Sequence, residues 1–160
     1  MTSLITNRLS GRALVSKDLF ERMVARIVAD EQIERQLAER IMDQALAFLL
    51  ACAGSQDKPL SPSKLIDIGW HTFILYTREY AAFCDEIAGY FIHHVPDDEK
   101  TASVEPAEQA LARSVEAIQA AGLVVDTDLW SVADPAECRN CSNVGCGAGP
   151  PPSSSHISEV

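Results

Sequence analysis

From Ser61 to Ala88 the sequence keeps a helical rhythm while staying apolar almost all the way round. Leu65, Ile66, Ile68, Trp70, Phe73, Ile74, Tyr76, Tyr80, Phe83 and Ile87 leave no broad polar face. A helix of that kind has to be surrounded, so the stretch predicts the central helix of a bundle. Ser61 and Pro62 mark its start, a serine cap followed by proline at the first helical position. Gly89 marks its end.

The flanks supply the other helices. Leu19, Phe20, Met23, Val24, Ile27 and Val28 predict an amphipathic helix over 17–29. Ile33, Leu37, Ile41, Leu46, Phe48 and Leu49 predict a second over 31–53, with Glu34, Arg35, Glu39, Arg40 and Asp43 opposite. Asp30 is placed to cap it and Gly54 to end it. After a charged turn at 97–101, Leu111, Val115 and Ile118 form the buried stripe of a helix over 106–121, closed by Gly122. Leu123 to Val125 reads as extended, and Trp130 is expected to pack back on the bundle.

The expectation is an all-α fold, a compact bundle of about four helices. Met1 to Ser16 is polar and reads as an arm, and 17–133 as the helical domain. Residues 134–149 form a cysteine-rich segment, and 150–160, which begins PPPSSS, cannot build a core and is expected to be disordered. No internal repeat is visible.

Charge narrows the function. The 160 residues include 23 acidic and 13 basic side chains, a formal charge of −10. That excludes electrostatically driven binding to nucleic acid and docking on an anionic membrane. No apolar run reaches the ~18–20 residues of a membrane span. The first residues, with Arg8 and Arg12, lack the continuous apolar run of a secretory signal. Five cysteines, an odd count without an export signal, fit a reducing cytoplasm. A partner, if there is one, is expected to be another protein.

Two constellations carry chemistry. On the long apolar stretch, Asp67, His71 and Arg78 fall on one helical face. Buried charges are costly unless paired, so this row needs a purpose. In one reading Asp67 and His71 are metal ligands, or a ligand and the group that orients it, and His93 or His94 completes the site. An aspartate bound to a histidine also sets which ring nitrogen is free for a metal. In the other reading the row is a satisfied polar network that pins the bundle. Neighbouring side chains in an extended segment point to opposite faces, so only one of His93 and His94 can join a given site. Cys84 lies roughly 220° round the helix from His71 and reads as a buried structural thiol.

The second constellation is Cys138-x2-Cys141-x4-Cys146. Two thiolates at that spacing can grip one zinc from a tight turn. A fourth ligand is needed. His71, His93 or His94 is preferred to His156, which lies beyond PPPSSS and would cost chain entropy to order. An iron–sulfur cluster fits less well, because four cysteines are usual. A metal-free thiol tail is the plain alternative. No Ser-His-Asp arrangement or dinucleotide fingerprint is visible, and Gly145-Cys-Gly-Ala-Gly149 follows no strand that would make it a phosphate loop.

Together these residues resemble a known family. Asp67-Ile-Gly-Trp70-His71, Arg78-Glu-Tyr80, Phe83-Cys84 and Gly89-x-Phe91-Ile-His93-His94-Val-Pro96 are similar to the Trp-His core of glycine-rich domain-containing-protein-like sequences, in particular short, largely actinobacterial members. The resemblance runs from about Leu14 to Cys146 and includes Ala121-Gly122, Val125-Asp126 and Leu129-Trp130. Long plant members carry glycine-rich tails and are linked to development and stress. They typically have a further histidine where this chain has Phe73. The resemblance implies the helical fold, marks Asp67, Trp70, His71 and His94, and brings no reaction with it.

Three functional readings follow. The first is a small cytoplasmic protein holding a structural or regulatory metal, zinc, through Cys138, Cys141, Cys146 and a histidine. The second is a metal-dependent enzyme centred on Asp67, His71 and His94. The third is a metal-free helical interaction module. Structural binding ranks above catalysis. A leader carrying a modifiable cysteine and serine core peptide is a distant fourth, since the chain shows no cleavage signal.

Overall fold

Ser16 starts the first helix by accepting a hydrogen bond from the Leu19 N–H (3.3 Å), an ordinary serine cap. The computed structural model describes residues 8–55, 57–95 and 105–132. Within them lie α1 (Lys17–Glu31), α2 (Arg35–Gly54), α3 (Lys64–Leu75), α4 (Thr77–Ala88) and α5 (Ala107–Ala120), with 3-10 turns at Gly11–Leu14 and Thr127–Leu129. There is no strand among the described residues; Leu9 and Leu123 share a single parallel bridge. The cysteine-rich segment and the tail expected over 134–160 lie outside the described residues.

The boundary between α1 and α2 falls later than expected. Gln32 takes the left-handed conformation (φ 53°) and its N–H returns to the Val28 carbonyl. Asp30 turns back to Arg26 (2.5 Å) rather than capping α2. The next cap is Ser63, not Ser61: its hydroxyl accepts from the Ile66 N–H (3.3 Å). Gly89 and Gly122 end α4 and α5 with positive φ, as expected.

Two features of the long apolar stretch differ from expectation. It is two helices, because the backbone breaks at Tyr76 (φ −88°, ψ 64°). The break brings an aromatic cluster together. Phe73 meets Tyr80 at 5.2 Å and Phe83 at 5.1 Å between ring centroids. On a straight helix residues ten apart are separated by about 15 Å along the axis, so this cluster closes only if the chain bends. The central helix is α2, which packs against all four others. Its run Ala45-Leu46-Ala47-Phe48-Leu49 is fully buried. Its small alanines admit neighbours closely: a Cβ on Gly69 of α3 would lie 2.6 Å from the Ala45 Cβ.

The extended segment after α5 does pack back. Gln44, buried on α2, clamps it: Oε1 accepts from the Asp126 N–H and from Trp130 Nε1 (both 3.0 Å), and Nε2 donates to the Val124 carbonyl (3.0 Å). Arg40 adds a two-pronged contact to Asp126 (2.6 and 2.9 Å). On the other flank Gly11 sits against α2, where a Cβ would meet the Asp43 carbonyl oxygen at 1.9 Å. So part of the expected arm, residues 11–14, is seated on the bundle.

Candidate metal centre

Two helical facts place the first two candidates. Asp67 lies in the first turn of α3, where the helix dipole favours a carboxylate. His71 is one turn on, and its Nδ1 lies 3.2 Å from Asp67 Oδ2. The third arrives from the segment after α4. Gly89 turns the chain, and Tyr80 then fixes it: the Tyr80 hydroxyl accepts from Trp70 Nε1 (2.9 Å) and donates to the Ile92 carbonyl (2.6 Å). From Ile92 onward the alternation of an extended chain decides the rest. Ile92 is buried, His93 exposed and His94 half-buried. His94 Nε2 comes to 2.7 Å from Asp67 Oδ1.

One ligand atom from each of Asp67, His71 and His94 can lie within 4.8 Å of the other two. Around a tetrahedral zinc, with bonds of about 2.0–2.1 Å, neighbouring ligand atoms are about 3.3 Å apart. The distance from Asp67 Oδ2 to His71 Nδ1 matches that spacing, and the His94 contact, made to the other carboxylate oxygen, has to open by about 0.6 Å. The His94 ring is held between two others, Trp70 at 4.5 Å and His71 at 4.3 Å between centroids. His94 is 14% exposed and His71 58%, so the site has an anchored inner side and an open outer one.

The remaining candidates separate cleanly. His93 is exposed, lies outside the cluster and rests on Phe91 (4.8 Å between centroids). Arg78, expected on the Asp67 and His71 row, is carried out of it by the break at Tyr76 and is exposed on α4. Cys84 is buried, as expected of a structural thiol. Phe73 is buried with Tyr80 and Phe83. Cys138, Cys141 and Cys146, and His156 with them, lie outside the described residues.

Beside the cluster is a cleft of about 800 Å³ that the sequence did not announce. Its apolar wall includes Leu60, Trp70, Ile92 and Leu111; its polar edge includes His94, His93 and Arg113; Ser131 and Val132 line it as well. Arg113 donates to Glu105 and to the Pro59 carbonyl (3.2 Å), and it holds the Glu105 carboxyl below its usual range. Cys52 also faces the cleft, and burial pushes its thiol up to about 12. Trp70 and Tyr80 support His94 from behind, Trp70 through its ring and Tyr80 through the Ile92 carbonyl. Only Trp70 was marked beforehand, through the resemblance. Tyr80 stands in the motif that carries the resemblance, but nothing in the sequence marked its hydroxyl as the tie to Ile92.

The sequence model of the UCP032817-like family matches residues 12–120. That span contains Asp67, His71 and His94. No curated protein and no solved structure matches the chain.

Proposed function

The chain belongs to the UCP032817-like family, and within its matched span we propose a metal-binding function: Asp67, His71 and His94 hold one divalent ion, zinc, in a structural or regulatory role. The observation that carries this reading is the convergence of one carboxylate and two imidazoles from two separate segments. A polar network that merely pinned the bundle would bury its members, whereas His71 is mostly exposed and presents a nitrogen to Asp67 at ligand spacing. Imidazole and carboxylate suit zinc, and two histidines with one carboxylate recur as its protein ligands. The acidic chain raises the local concentration of any divalent cation. A reducing cytoplasm remains the compartment that suits the cysteines, and among the described residues no helix is long and apolar enough to cross a membrane. The resemblance to glycine-rich domain-containing-protein-like sequences agrees with this placement, since it marks the same Asp67, His71 and His94.

Zinc titrated into the metal-free, reduced protein tests the reading. Saturation at about one ion per chain, with a rise in melting temperature, is expected. Asp67→Ala is expected to abolish both. A melting temperature indifferent to zinc and to chelator removes the proposal. The cleft beside His94 favours a second reading, a metal-dependent enzyme, which requires a position on the metal open to a small molecule.

A further inference from the structure

Asp67, His71 and His94 make three ligands, and a tetrahedral zinc takes four. We propose that the fourth position receives a small monocarboxylate whose apolar body lies in the cleft beside His94. This inference rests on the metal reading above and deepens it, because it names what the centre binds.

Three observations carry it. The metal position and the cleft share a residue: His94 is one of the converging ligands, and it also lines the cleft. Trp70, whose ring meets that of His94 at 4.5 Å between centroids, lines the cleft too. A ligand held by the metal thus starts at the edge of the cleft. His71, 58% exposed, leaves the outer side of the cluster open for entry.

The cleft has the size and the wall of a small-molecule site. Its volume of about 800 Å³ falls within the ~300–1,000 Å³ usual for such sites. Leu60, Trp70, Ile92 and Leu111 give it an apolar wall, which suits a hydrocarbon or aromatic body.

Charge chooses the head group. Zinc held by one carboxylate and two neutral imidazoles keeps a single net positive charge, which an anion balances. Arg113 is paired with Glu105, and Lys64 is engaged as well, so both cations on the cleft wall already have their interactions. The metal is therefore the place for the ligand's charge, and the cleft is the place for the rest of it. A carboxylate with a short chain or a ring behind it has both parts. Such a centre changes its coordination when the ligand arrives, which fits the regulatory role rather than the purely structural one.

Cobalt(II) reports the exchange directly, because its visible bands change when a ligand enters its coordination shell. The reduced full-length chain is loaded with cobalt(II) and titrated with acetate, butanoate and hexanoate. Ala110→Trp, half-buried on the cleft wall, and Ala107→Trp, exposed on it, fill the cleft from α5 without touching the metal ligands; the second serves if the first fails to fold. Each methylene seated on apolar surface gains up to about fourfold in affinity. Hexanoate is expected to bind tenfold or more tightly than acetate, and in the tryptophan variants to bind no better than acetate. Cobalt bands that no carboxylate changes, or equal affinities for acetate and hexanoate, overturn the inference and leave the Asp67, His71 and His94 centre standing. A preference for hexanoate that survives both tryptophan variants overturns its placement in the cleft. Hexanoate bound equally well by metal-free Asp67→Ala, read by calorimetry, overturns the role of the metal in holding it. A chain that binds no cobalt overturns the metal reading itself.

Discussion

His71→Ala separates a metal site from a hydrogen-bonded network, because the two assign this residue opposite weights. In the metal-free protein His71 contributes little. Its side chain is 58% exposed and its contact to Asp67 is a surface pair one helical turn apart, worth about 0.3–0.5 kcal/mol. Adding its ring contact with His94, the total stays near ~1 kcal/mol. His94 is different. It is 14% exposed, sits 2.7 Å from Asp67 and packs against Trp70, so His94→Ala costs about 2–3 kcal/mol. At about 4 °C per kcal/mol for a domain of this size, the metal-free melting temperatures fall by about 4 °C and about 10 °C. Zinc changes the ranking. At a thousandfold excess over the dissociation constant it adds about 4 kcal/mol to any protein that binds it. Losing one of three ligands removes that gain from both variants alike. Calorimetric melts with zinc and with chelator therefore show His71→Ala nearly native without metal and as unresponsive to zinc as His94→Ala. A His71→Ala protein that keeps the full zinc-induced rise refutes the ligand assignment.

Further outcomes follow from the surrounding structure. Gln44→Leu leaves the Asp126 N–H and the Trp130 indole N–H without their acceptor, and urea unfolding should show a loss of about 2–4 kcal/mol. Gly69→Ala places a Cβ 2.6 Å from that of Ala45; a loss of about 1–3 kcal/mol is expected, recovered in part by adding Ala45→Gly. Tyr80→Phe unties the Ile92 carbonyl, so zinc affinity should weaken while Asp67, His71 and His94 all remain; unchanged affinity would mean that Tyr80 does not position His94. Burial raises the Cys52 thiol from 9.0 to about 12, so the fold favours its neutral form. That stability is fully present below pH about 9 and is lost as pH rises through about 12, and Cys52→Ala should flatten the fall of melting temperature across that window.

Helices 17–29, 31–53 and 106–121 were legible because their apolar residues recur at one spacing, and glycines stop the last two. The bend at Tyr76 was not. Both halves of the 61–88 stretch have helical periodicity, and the contact that accompanies the bend, Phe73 on Phe83, is visible only in the folded chain. The same limit hid the centrality of α2, whose charged residues at the Arg35 end suggested a surface helix while its alanines made it the hub. At the site, Asp67 and His71 were readable as a helical pair. Which of His93 and His94 joins them was not, since the choice depends on the Tyr80 hydroxyl and the Ile92 carbonyl, groups twelve residues apart. Arg78 was misplaced by the same bend. The cleft arises between segments distant in the chain and has no local signature.

Elemental analysis of the chain, made without a histidine tag and kept reduced throughout, bears most directly on whether Asp67, His71 and His94 hold a metal. About one zinc per chain is expected, falling to a trace in Asp67→Ala. A chain that carries no zinc and takes none up, or an Asp67→Ala protein that retains it in full, contradicts a metal centre on these residues.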